Sequence, residues 1–141
     1  MLSKGHDTVI LAVYGSLRPG MYNSQRINYT HIGTYQISGY EMYDLGSYPG
    51  IVKTTNFSDK VEVDLIEVTA ETAAAIDIME INAGYFIVPI YVAANLCKLY
   101  IYDRNYIKDD MTPIPNGNWV SYVSDRLLKE KLKKQASDAV K

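Results

Sequence analysis

Short runs of apolar or alternating residues dominate the chain, and they predict strands. Residues 8–14 carry an unbroken apolar run, Val9-Ile10-Leu11-Ala12-Val13, with the length of a buried central strand. Residues 18–27 are polar, with Pro19 and Gly20 as breakers, and predict a turn or short helix. Loose alternation of Ile32, Tyr35, Ile37 and Tyr40 across residues 31–42 predicts one or two strands, and residues 45–50 form a turn-rich loop. In Val61-Glu62-Val63-Asp64-Leu65-Ile66-Glu67-Val68 apolar and charged residues alternate, the pattern of a strand with one wet face.

Helical signals follow. Thr69 suits an N-cap, Glu71 sits in the first turn, and Ala73, Ala74 and Ala75 favour a helix over residues 70–80 that Asn82, Ala83 and Gly84 end. Residues 85–92 are rich in aromatic and β-branched side chains, and Pro89 among them implies an edge strand or a bulge. Residues 96–102 read as another strand and residues 103–118 as a polar loop bearing prolines. A second helix is expected from Trp119 to about residue 134, with Trp119, Tyr122, Val123 and Leu127 on one side. This order predicts a strand-dominated α+β fold. Periodicity does not say whether the sheet curls.

Composition narrows the picture. At 141 residues and 48% apolar, residues 1–141 suit a single domain with a real core, and no repeat or linker divides it. A net charge of −2 argues against a nucleic-acid partner, because phosphate binding needs a basic face. Cys97, the single cysteine, has no disulfide partner and reads as a small buried side chain, which points to a reducing compartment. The first seven residues lack the apolar stretch of a secretory leader, and no run approaches bilayer length, so no membrane partner and a cytoplasmic location are expected. Oligomeric state is left open. Thirteen tyrosines, without an accompanying basic stripe, suit a half-buried sheet rather than base stacking. The basic segment 129–134 reads as a solvated helix end whose lysines suit the helix dipole.

Candidate chemistry begins where the first strand stops. In Tyr14-Gly15-Ser16-Leu17-Arg18-Pro19-Gly20, a strand runs into a sharp Gly-Ser turn that frees backbone N–H groups able to hold a carboxylate or an oxyanion. Other constellations fail. Ser16 lies outside a Gly-x-Ser-x-Gly elbow, and His6 and His31 read as a tail residue and a strand or loop residue rather than its partners. The loop lacks the Gly-Lys-Ser/Thr ending of a phosphate-binding loop. One cysteine and two distant histidines make no zinc pattern. Asp77, one helical turn before Glu80, suits a structural hydrogen bond better than a two-carboxylate glycosidase pair, since one turn does not place acids on opposite sides of a sugar.

Residues 14–20 together with Leu45-Gly46-Ser47-Tyr48-Pro49-Gly50, Ile76-Asp77-Ile78-Met79-Glu80 and Ile114-Pro115-Asn116-Gly117-Asn118-Trp119 resemble, in order, the segments of the gamma-glutamylcyclotransferase-like family. The resemblance spans about residues 8–122, leaving a C-terminal helix and basic tail over 119–141. It implies a mixed curved sheet forming a partly closed β-barrel with short flanking helices. It also implies an enzyme that releases 5-oxoproline from a gamma-glutamyl amine or related small amide by attack of the substrate's own α-amine.

No metal or organic cofactor is required by that chemistry, and the partner is a small molecule. By this resemblance Glu80 is the acid–base. The N–H groups of Gly15, Ser16 and Leu17 hold the glutamyl carboxylate or the oxyanion. Tyr14 either lines the pocket or fills the core, and Arg18 either attracts an anionic substrate or is an exposed turn arginine. Tyr48 and Pro49 shape the pocket wall, and Tyr102 brings a hydroxyl from a late strand. Ile81 and Ile87 stand where the family has Gly and Arg. A non-catalytic module that retains the pocket to bind a small metabolite is the alternative. If Glu80 faced away from Gly15, a structural or partner-binding role would be favoured instead.

Overall fold

The computed structural model describes residues 7–139. The expectations for residues 1–6, including the tail position of His6, lie outside the described residues. The elements are β1 (Thr8–Val13), β2 (Thr30–Ser38), β3 (Tyr40–Asp44), β4 (Pro49–Lys53), β5 (Lys60–Thr69), α1 (Ala70–Asn82), β6 (Phe86–Val92), β7 (Asn95–Ile101), β8 (Thr112–Ile114) and α2 (Trp119–Ala139). A five-stranded sheet has the order β2-β5-β1-β7-β6, and a three-stranded sheet has the order β4-β3-β8.

The apolar run of β1 takes the central place expected of it. The strand pairs antiparallel with β5 and parallel with β7, so the sheet is mixed. Side chains alternate across it. Leu11 and Val13 pack with Ile66, Val68, Ala73 and Ile76 beneath α1, and Ala12 packs on the other side with Val63, Leu65 and Leu99. Pro89 lies on β6, an edge strand, where a missing N–H is tolerated. Cys97 is free and buried.

Strand pairing leaves both sheets open rather than joined into a barrel. The chain leaves the first sheet at Gly39, whose φ of +86° is left-handed and separates β2 from β3. The Gly39 N–H donates to the Asp59 carbonyl at 2.8 Å, and the Thr54 N–H donates to the Gly39 carbonyl at 2.9 Å. This bend sends β3 into the second sheet, so β2 and β6 remain edges of the first. A 2.8 Å bond from the Tyr102 N–H to the Ile51 carbonyl joins the end of β7 to β4.

Three expectations are corrected. The charged face of β5 is wet only in part: Lys60 is exposed and Glu62 half-buried, but Asp64 is buried and Arg18 covers it. Residues 103–118 contain a 3-10 turn, Arg104–Tyr106, and the short strand β8, which pairs Ile114 with Met42. A three-residue strand containing Pro113 carries too little pattern to be read in advance. The second helix runs on to Ala139, and Leu127 is exposed rather than packed. Its first turns are anchored by buried Trp119, stacked on Tyr122, and by the Tyr122 hydroxyl donating to Asp44 at 2.7 Å. Among the described residues no helix is long and apolar enough to cross a membrane.

Arg18 is the most connected side chain of the site-bearing loop. Its Nε donates to Asp64 at 2.6 Å, one terminal nitrogen to Glu62 at 2.6 Å, and the other to Asn118 at 3.1 Å. Asp64 also accepts from Thr34 and pairs with His31 at 2.9 Å. Burial pushes the Asp64 carboxyl upward, but the bonds from Thr34, Arg18 and His31 outweigh it and hold the group below its ordinary value. Removing one member of a buried pair strands the other charge. Arg18→Ala is therefore expected to destabilise the fold by about 3–5 kcal/mol in urea denaturation. A loss under about 1 kcal/mol would show that water reaches Asp64 freely.

Candidate active site

The site forms where three distant segments meet. β1 ends at Val13, and the chain turns at once, with the Arg18 N–H donating to the Gly15 carbonyl at 3.0 Å. A turn closed between its first and fourth residues does not use the N–H groups of its central pair, here Ser16 and Leu17. Gly15 is required by a close approach. A Cβ there would stand 2.9 Å from Cγ of Pro49, so only glycine lets the turn lie against the Tyr48-Pro49 segment.

Helix α1 delivers the third segment. The Thr69 side chain caps its start by accepting from the Thr72 N–H at 3.1 Å, and Ala73 and Ile76 pin it to the sheet. At its end the Tyr85 N–H donates to the Glu80 carbonyl at 3.0 Å, and Gly84 reverses the chain at φ +100°. Glu80 therefore stands in the last helical turn, and Tyr85 returns beneath it.

A cavity of about 260 Å³ opens between these pieces. Tyr14, Gly15, Ser16, Leu17, Tyr48, Pro49 and Glu80 all line it, so the turn and the acid, far apart in sequence, face one space. Two expected residues do not. Arg18 points away from the cavity into Asp64, Glu62 and Asn118, which leaves its charge engaged and its side chain buried. Tyr102 lies behind the wall: its ring packs edge-on against Tyr85 at 5.5 Å and closes over Gly84. Both are corrected from substrate contacts to supports.

Other cavity residues escaped the sequence reading. Tyr85 lines it and donates its hydroxyl to the Pro49 carbonyl, bracing the wall. Tyr100 lines it from β7. Asn23, in the 3-10 turn Tyr22–Arg26 that follows the Gly15–Arg18 turn (the cradle of the site), lines it as well. Met79 and Ala83 flank Glu80 there. Tyr85 and Tyr100 look in sequence like ordinary strand aromatics. Only the polar Asn23, placed soon after Pro19-Gly20, offered a sequence signal.

The electrostatics separate the two acids of α1. Asp77 accepts from Lys98 at 2.7 Å and from the Tyr100 hydroxyl at 2.6 Å, the structural bonding expected of it. Burial acts alone on Glu80 and raises its carboxyl to about 7. Burial also pushes the Tyr14 and Tyr85 hydroxyls up, with the Glu80 charge adding to the effect. Tyr14 donates to the Tyr100 carbonyl and Tyr85 to the Pro49 carbonyl, so neither proton is directed at Glu80. The outcome is a half-buried carboxyl poised near neutrality, facing a turn with free N–H groups. Among the described residues no cluster of His, Cys, Asp and Glu is arranged to hold a metal ion.

Known proteins share this architecture. The chain is 32% identical over 110 residues to the gamma-glutamylcyclotransferase family protein ytfP of Citrobacter rodentium, an alignment covering 77% of this chain and 92% of that protein. An uncharacterized protein from Pyrococcus horikoshii superposes with a TM-score of 0.69 at 27% identity, covering 84% of this chain and 95% of that one. The solution structure of ytfP from Escherichia coli gives a TM-score of 0.64 at 29% identity over 79% of this chain and 96% of that one. The family model described as gamma-glutamyl cyclotransferase, AIG2-like, matches residues 11–121, so most of α2 lies past the matched region. The chain belongs to the gamma-glutamyl cyclotransferase, AIG2-like family.

Proposed function

We propose that this protein is a cyclotransferase that converts a gamma-glutamyl amide into 5-oxoproline and a free amine. The observation that carries the reading is the convergence of Glu80 and the Gly15–Leu17 turn on one cavity, with burial holding the acid near neutrality.

The chemistry is intramolecular. The neutral α-amine of the substrate attacks its own γ-carbonyl carbon, forming a five-membered ring and a tetrahedral oxyanion. Glu80 accepts the proton that the attacking nitrogen sheds. It then gives that proton to the departing nitrogen as the carbon–nitrogen bond breaks. No water is consumed. Holding the substrate in the reactive shape is worth roughly 7–11 kcal/mol in well-aligned intramolecular reactions. A base is most effective when its affinity for protons approaches that of its partner, and an α-amine ordinarily titrates near 8. An exposed glutamate near 4.5 is a poor match, whereas Glu80 at about 7 is a good one.

The N–H groups of the turn serve the substrate's carboxylate or the oxyanion, and Tyr14, Tyr48 and Pro49 shape the space around them. No Lys, Arg or His is among the residues lining the cavity. With Arg18 engaged elsewhere, this lining supports a neutral leaving group, that is, a gamma-glutamyl amine, over a second carboxylate.

Incubation with a panel of gamma-glutamyl compounds, followed by assay of 5-oxoproline, tests the reading. Turnover is expected for wild type. Glu80→Gln is expected to lower kcat by about 10²–10⁴ while the protein stays folded, the range general acid–base catalysis contributes. No product from wild type, or unchanged turnover in the variant, rejects the mechanism.

The acidic limb of the kcat/KM profile is expected near pH 7, activity falling below it as Glu80 protonates and loses its role as base. A limb near 4.5 would place the carboxyl in water.

The same group sets a stability trend. Its folded-state value lies above the unfolded one, so the folded state holds the extra proton between about pH 4.5 and 7. Stability contributed through Glu80 therefore falls as pH rises across that window. Glu80→Gln should remove this dependence and gain up to about 3 kcal/mol on wild type at pH 8 relative to pH 4. Urea melts at the two pH values read the difference; equal shifts at both would contradict it.

A further inference from the structure

The Ser16 carbonyl accepts from two backbone N–H groups of the 3-10 turn Tyr22–Arg26: Asn23 at 3.0 Å and Ser24 at 3.2 Å. A peptide unit is planar and trans, so its carbonyl and the next N–H point in opposite directions. Holding the Ser16 carbonyl against the 3-10 turn therefore aims the Leu17 N–H away from it. The Asn23 side chain adds a second grip, its Nδ2 donating to Ser16 Oγ at 2.7 Å. Ser24 is itself buried and donates from its hydroxyl to the Met21 carbonyl at 2.7 Å, so the clamp is anchored from behind. Asn23 is the member of this turn that also lines the cavity. It therefore touches the Ser16 backbone, the Ser16 side chain and the substrate space together.

We propose that Asn23 is a positioning residue of this site, acting through Ser16 to hold the Ser16–Leu17 N–H pair in the orientation that receives the glutamyl group. The kinetic part of the proposal rests on the cyclisation reading, but the binding part does not. Loss of the Asn23 side chain leaves its own N–H on the Ser16 carbonyl, so the turn remains folded while the cradle loosens. The effect is expected to reach about tenfold, the scale of a single hydrogen bond.

The test is a double-mutant cycle on the full chain: wild type, Ser16→Ala, Asn23→Ala and the double variant, each checked for wild-type circular dichroism. If Asn23 acts through Ser16, the three variants lose kcat/KM by similar amounts, and the double variant is no worse than Asn23→Ala alone. Losses that multiply in the double variant, or an Asn23→Ala protein as active as wild type, overturn the proposal. In parallel, all four proteins are titrated with L-glutamine, the smallest gamma-glutamyl amide, and the Ser16 and Leu17 amides are followed by NMR. Wild type is expected to show shifts at both amides, and Asn23→Ala to bind about tenfold more weakly. Equal binding overturns the proposal, and so does the absence of wild-type shifts at these amides. If wild type binds but turns over no gamma-glutamyl compound, the cyclisation reading falls while the titration still decides the role of Asn23.

Discussion

The buried guanidinium of Arg18 holds the site to the sheet. It belongs to the residue that closes the turn, and its contacts with Asp64, Glu62 and Asn118 reach β5 and the start of α2. A pair buried this deeply stabilises little relative to a well-packed apolar substitute, but its geometry is demanding, because a displaced partner leaves an unpaired charge in the interior. The turn cannot drift without breaking it. Asp64 gathers Thr34 and His31 into the same network, so β2 and β5 are tied to the loop that faces the cavity. What resembles a substrate-binding arginine in sequence thus has its guanidinium engaged by Asp64, Glu62 and Asn118 instead of the cavity.

A second constraint concerns two acids one helical turn apart. Asp77 and Glu80 share a helix and a chemistry, but their surroundings differ. Asp77 has an ammonium and a phenol on its oxygens. Glu80 has burial without matching hydrogen bonds, and its carboxyl rises to about 7. The nearby tyrosines deepen this contrast by giving their protons to backbone carbonyls rather than to the carboxylate. An added donor on Glu80 would lower its affinity for protons and make it a weaker base. The reactivity proposed for the site follows from what the neighbours do not provide.

Gly15, at the cavity, and Gly84, behind its wall, both have steric causes. Gly15 lets the cradle touch Pro49, and Gly84 turns the helix end while lying 3.3 Å, at its missing Cβ, from the Tyr102 ring. Tyr102, Tyr85 and Tyr48 form a chain of ring contacts behind and along the wall. Part of the tyrosine excess noted in the sequence is therefore used as walling, and within it the Tyr85 hydroxyl bonds to the Pro49 carbonyl.

Local patterns in the sequence determined much of the element list. The apolar run of β1, the Thr69 cap, the alanine-rich α1 and the proline on edge strand β6 are short-range features, and their physics is contained in neighbouring residues. The cradle turn and Glu80 were legible as a family resemblance, and Asp77 as a structural acid. Tertiary structure decided the rest. Whether the charged face of β5 meets water depends on Arg18, forty-six residues away from Asp64. The division into two open sheets depends on the bend at Gly39 and on the pairing of the short β8 with β3. The inward role of Asn23 depends on its bond to Ser16, and the proton affinity of Glu80 depends on burial by segments remote in the chain. Pattern and propensity act over a few residues, whereas desolvation and hydrogen bonding between distant groups exist only once the chain has brought those groups together.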